Sequence, residues 1–270
     1  MGQEFKSLFL NTIQKELRSK TLYMLTGFTV LLVIMVNVFM NFINTNILDA
    51  NATQFIGDQT ANVVFLMVDF WSTFLCILFG INTIKSDVSS GAIGQVLSFP
   101  IKRRTYLAAR ILGSCLIVFF YYAFSMSLAI LLFSITSDKQ IGSMGVLYAL
   151  APSLLNIFII ILLSVNFSMF LPRMMSFIFM SFLTFFIVLS NKAFMAKEFS
   201  AYFQDLGAMK SLGLVFHLIF PRIGVVSAEV GSILFGTKVD FSYMMEIPHL
   251  VIALGLWILV TIGLFNKEDY

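Results

Sequence analysis

Charged side chains are scarce. They make up 11% of the 270 residues, against roughly 25% in a soluble domain. A globule of that length would have too little polar surface to cover itself, which excludes an ordinary cytosolic enzyme. Acids and bases nearly balance, 14 Asp and Glu against 17 Lys and Arg, for a net charge of +3. So mild an excess gives no reason to expect a nucleic-acid partner. Histidine and cysteine occur twice each, and there is no G-x-x-x-x-G-K-[ST], H-E-x-x-H, C-x-x-C or G-x-S-x-G pattern. The chain therefore carries no Walker-type nucleotide site and none of the common metal or nucleophile motifs. An enzyme working within a membrane would need acids, histidines or serines clustered inside its apolar segments. Asp69 is the one acid clearly embedded in such a segment, so no catalytic or metal-ligating residue is assigned.

What is abundant is hydrocarbon. Apolar residues reach 59%, aromatics 15%, with 31 Phe and 15 Met, and the mean hydropathy is +0.93. Disorder needs the opposite composition. A bilayer core of about 30 Å takes about 20 helical residues, and six segments qualify: 22–43, 61–84, 107–135, 145–170, 174–190 and 248–265. The period-2 pattern of a membrane barrel is missing, and amides in hydrocarbon must be satisfied within their own segment. The expected class is an all-α polytopic membrane protein with six transmembrane helices.

Two further segments are apolar without being long enough to cross. Residues 1–20 place Phe5, Leu8, Phe9, Ile13 and Leu17 on one helical face and Lys6, Gln14, Lys15 and Arg18 on the other. That pattern suits a helix in the membrane interface, or else an exposed amphipathic tail; its acids and long apolar sequel do not suit a cleavable signal. Residues 205–236 hold two short apolar stretches, 206–220 and 223–235, around Pro221-Arg222. They read as a re-entrant pair of half-helices or a pair lying in the outer interface.

Lys and Arg set the orientation. The N-terminal segment has Lys6, Lys15, Arg18 and Lys20, and the 85–106 loop has Lys85, Lys102, Arg103 and Arg104; the 44–60 loop has neither Lys nor Arg. Both termini and the 85–106 loop are thus expected in the cytoplasm. The 191–247 loop, with five bases and five acids, is expected outside.

Asp69 has two readings: a polar group lining a translocation pathway, or a residue near the outer mouth that reaches water. Cys76 and Cys115 sit in apolar runs and read as buried thiols. The connection after the second span is the most informative stretch. Asp87, Ser89 and Ser90 are candidate N-caps, and Ile93, Val96 and Leu97 are spaced i, i+3, i+4. A helix of two to three turns is expected to end before Pro100. Its apolar stripe would lie on the bilayer or dock in a groove of a soluble partner.

At these residues the sequence resembles the permease subunits of type-2 (ABC-2) ATP-binding-cassette exporters. Their pattern is close to acid-x-x-x-Gly-Thr-[Ile/Leu]-x-x-Leu-Leu-x-x-Pro-[Ile/Val]-x-Arg, followed by Lys. Here it reads Asp87, Gly91, Ala92, Ile93, Val96, Leu97, Pro100, Ile101, Arg103 and Arg110. Ala92 replaces the usual Thr, Val96 a Leu, and Arg110 the Lys, keeping a charge able to snorkel. The end of the chain, Phe265-Asn266-Lys267-Glu268-Asp269, is similar to the family's Phe-x-[Arg/Lys]-x-Asp tail.

The resemblance implies a division of labour. The 85–106 loop would be a coupling helix seated in a separate ATPase subunit, through Asp87, Ser90, Gly91, Ile93, Gln95, Val96, Leu97, Pro100, Arg103 and Arg104. Two permeases, as homo- or heterodimer, would work with two ATPase copies. ATP and Mg would bind the partner, leaving no cofactor on this chain. Arg103 and Arg104 would meet acids of the ATPase or lipid phosphates, or serve only as cytoplasmic anchors. The family's dimer face implies the first and fifth spans. The expected location is the cytoplasmic membrane of a prokaryote, and the expected cargo a small amphiphile, peptide, lipid or ion. Two rivals differ in class. An ATPase-independent transporter predicts several ionisable groups within the spans. A non-transporting scaffold linking an ATPase to an external partner predicts an outer docking surface.

Overall fold

The structure, a computed structural model, describes residues 2–46, 50–99, 101–136, 143–195, 207–235 and 243–267. Among them ten α-helices and no strand occur: α1 (Gly2–Leu17), α2 (Lys20–Asn46), α3 (Ala50–Ser89), α4 (Ala92–Leu97), α5 (Arg103–Thr136), α6 (Ser143–Phe170), α7 (Arg173–Phe194), α8 (Ala208–Ile219), α9 (Ile223–Phe235) and α10 (Tyr243–Lys267). Six of them, α2, α3, α5, α6, α7 and α10, are long and apolar enough to cross a membrane.

Several helices outrun the apolar segments that announced them. The expected 44–60 loop is largely helix, since α2 continues to Asn46 and α3 begins at Ala50. Likewise α3 continues to Ser89 and α5 starts at Arg103, which shortens the expected 85–106 loop from both sides. Polar residues end a hydrophobic run without having to end a helix. Pro248, the expected start of the last span, lies inside α10.

The core centres on α6, which packs against α3, α5, α9 and α10, while α3 also meets α2, α5 and α7. Leu75, Ile77 and Phe79 of α3 and a continuous run, Ile159 to Leu163, on α6 are buried in one cluster. The two helices come close at Gly80, where a β-carbon would stand 2.5 Å from Ser164 Cβ and 2.9 Å from the Ile161 carbonyl oxygen. Small residues at such crossings let backbones approach where no hydrophobic force distinguishes helix from lipid. Hydroxyls and amides add links: Thr83 Oγ1 to Ser114 Oγ at 3.0 Å, and Asn166 Nδ2 donating to Thr261 Oγ1 at 2.6 Å.

The chain breaks at Pro221-Arg222, and α8 and α9 meet there at 79°. Two polar contacts hold the bend. Asn191 of α7, with its carboxamide turned so that Oδ1 accepts from Ile223 N and Gly224 N (3.2 and 3.1 Å), caps α9 and donates to His217 Nδ1 (3.0 Å). Arg222 pairs with Glu246 of α10, both buried. Cys76 and Cys115 are buried free thiols.

Candidate functional site

Charge gathers where α1, α3 and α5 meet, directly before the chain leaves α3 for α4. Asp87 is 3% exposed. Its Oδ1 accepts from Lys15 Nζ of α1 at 2.7 Å. Its Oδ2 accepts from Arg110 Nη2 at 2.6 Å and from the Tyr106 hydroxyl at 2.5 Å, both on α5. Arg110 also donates through Nη1 to Thr12 Oγ1 at 3.0 Å, and its guanidinium lies 5.4 Å from the centre of the Tyr106 ring. Lys15 further donates to Ser86 Oγ. One carboxylate thus ties three helices through charge-assisted bonds, the stronger kind.

Each member arrives by helical spacing. Tyr106 and Arg110 are i, i+4 and share a face of α5. On α1 the buried line is Leu8, Thr12, Glu16, again one residue per turn. Leu17, expected on the apolar face, is 45% exposed, because that face is centred on the contact with α5. The approach is close: a β-carbon on Gly113 would lie 2.8 Å from Thr12 Cβ. Burial raises Glu16 from 4.5 to about 7, an effect that Asp87 adds to and that Lys15 and Arg110 oppose.

The sequence-based expectations for this loop need correction at several positions. Asp87 does not cap the short helix; it lies buried in the last turn of α3. Arg110 does not snorkel outward but turns in to meet it. The short helix is a six-residue turn and a half, shorter than expected, and its N-cap is Gly91 at φ +70°. An L side chain there costs about 1–2 kcal/mol, so glycine allows the sharp exit from α3. Ile93 is buried beneath α4 and Val96 is half-buried. Ser90, Gly91 and Gln95 are exposed, as are Ser98, Phe99 and Arg104. The Leu97 side chain and Pro100 lie outside the described residues.

Cations also clamp the helix ends around this loop. Arg173 donates through Nη2 to the Lys85 carbonyl (3.0 Å) and Ser89 Oγ (2.8 Å), at the C-terminus of α3. Arg103 donates through Nη1 to the Phe265 and Asn266 carbonyls (3.4 and 3.2 Å), at the C-terminus of α10. Both complement the negative end of a helix dipole. Arg103 is therefore engaged within the chain. Sequence reasoning missed Lys15, Tyr106, Thr12 and Glu16 as partners. The one available signal was the polar pair Thr12 and Glu16, in register with Leu8 on a face assigned as apolar.

Asp69 lies elsewhere, six residues into the span that starts at Val63. It lines a cleft of about 670 Å³ bordered by α2, α3, α7 and α9. The two sites are separate: one is an ionic knot at the end of α3, the other an aromatic cleft higher on the same helix.

An all-helical body with six apolar spans defines the chain as a multi-pass membrane protein. The sequence matches no protein-family model and no curated protein.

Proposed function

We propose that this chain is the membrane-spanning subunit of an ATP-driven exporter of the ABC-2 type, worked by a separate ATPase. The carrying observation is the Asp87 knot. It binds α1 and α5 to the last turn of α3, one turn before α4, whose Gly94 and Gln95 face outward. A push on α4 would move α1, α3 and α5 together, since buried Ile93 anchors the short helix and the ion pairs hold the three ends. In this reading Asp87 and Arg110 position the coupling element, while Ser90, Gly91, Gln95 and Val96 meet the partner. The α1 helix lies in the cytoplasmic interface, and α8 and α9 form a re-entrant pair on the outer side. The chain sits in the cytoplasmic membrane of a prokaryote with both termini inside and works with a second permease copy. ATP and Mg belong to the ATPase.

The test uses Gly94, where a β-carbon meets nothing within 4 Å. G94W enlarges the outward face of α4 without disturbing the fold. The full chain is to be purified from its own membranes, and the co-purifying proteins read for an ATP-binding-cassette ATPase. The expected result is an ATPase with the wild-type chain and its loss in G94W, at unchanged membrane insertion. No ATPase with the wild-type chain, or equal recovery with G94W, overturns the reading.

A further inference from the structure

We propose that the Asp69 cleft is a binding site for a lipophilic organic cation. Two buried acids among the described residues have ion-pair partners: Asp87 has Lys15 and Arg110, and Glu246 has Arg222. Asp69 has no ion-pair partner among the described residues. Its side chain receives one hydrogen bond, from Ser227 Oγ at a long 3.5 Å, and that hydroxyl accepts in turn from Asn156 Nδ2 at 3.0 Å. Among the residues lining the cleft Asp69 is the one charged group, and Lys192 acts on it from outside that lining. An acid among apolar walls is costly unless a cation meets it.

The walls fit the rest of such a molecule. Phe28 and Trp71 meet edge to face at 4.9 Å, and Trp71 lies 5.8 Å from Phe74. All three rings line the cleft, with Phe185 across from them on α7. Ring faces attract cations, most strongly when water is excluded. A volume of about 670 Å³ lies within the range of sites for drug-sized molecules, roughly 300–1,000 Å³. Phe28 and Phe185 are 43% and 61% exposed, so the cleft opens at the side of the helical body rather than through its core. A ligand dissolved in the bilayer would reach it without crossing the core.

Calling this ligand the cargo rests on the exporter reading; its binding does not. The probe is tetraphenylphosphonium, with tetraphenylborate as the anion of the same shape. Binding to the full chain in lipid nanodiscs is read by calorimetry, independently of any ATPase. Saturable binding of the cation is expected, weakened roughly tenfold or more by D69N, partly restored by D69E, and weakened a few-fold by F185A. No saturable binding of the cation, equal affinity in D69N, or equal binding of the borate overturns the proposal. Asp69-dependent binding in a chain that recruits no ATPase would leave this site standing and remove the exporter reading. ATPase recruitment without cation binding would do the reverse.

Discussion

Two carboxylates one helix apart behave differently in the knot. Asp87 accepts from Lys15, Arg110 and Tyr106. Removing it strands Arg110, whose side chain is 5% exposed; Lys15, at 37%, can turn to water. Breaking a buried pair from one side costs about 3–5 kcal/mol. D87A is therefore expected to lower the apparent melting temperature in detergent sharply, and D87A/R110M to recover most of the loss. Glu16 is the opposite case. Below pH 4.5 it is neutral folded or unfolded, between 4.5 and about 7 only the unfolded chain ionises, and above about 7 the folded protein holds a buried charge. Stability thus falls as pH rises from 4.5 to 7, by on the order of 3 kcal/mol, and then levels. The melting advantage of E16Q over wild type should be small at pH 5 and large at pH 8; an advantage equal at both would count against the buried acid.

Among the helices, α1 is held by a line of small and polar contacts rather than by its apolar moment alone. Thr12 sits against Gly113, Lys15 reaches Asp87, and Leu10 and Leu17 stay exposed. Replacing Gly113 with Leu would force α1 off α5, because the nearest atoms belong to the stem of Thr12 rather than to a flexible chain end. Trypsin cleavage after Lys15 and Arg18 is expected to accelerate several-fold in G113L, read by gel against the wild-type chain. The same helix shows why its docking was hard to read in advance. A hydrophobic face locates the side that seeks cover, but Thr12 and Glu16 face inward because Arg110 supplies partners there, and Arg110 is nearly 100 residues away in sequence.

Taken as one body, the chain places Lys6 and Lys15 on α1 and Arg103 and Arg104 at the start of α5, and Arg103 holds the end of α10 beside them. A cysteine placed at Ser7, at exposed Gln95 or at Lys267 should therefore react with a membrane-impermeant maleimide from one face only, and the same face for all three. The two native thiols are buried, so the background is low. Labelling of position 95 from the face opposite to position 7 would sink both the topology and the docking role of α4. The number of spans, their composition and the break at Pro221-Arg222 are legible in the sequence, because the bilayer imposes length and polarity locally. Asp87, Arg110 and the short helix after Gly91 were visible as a pattern, yet their roles were not: capping and snorkelling were expected, and a buried clamp was found. Asp69 stood out by charge alone; whether it met a cation, water or a cleft depended on α7 and α9 folding back across α3. Local composition decides which segments leave water, whereas ion pairing and cavity shape are set by residues distant in the chain, which only packing brings within a few ångströms of one another.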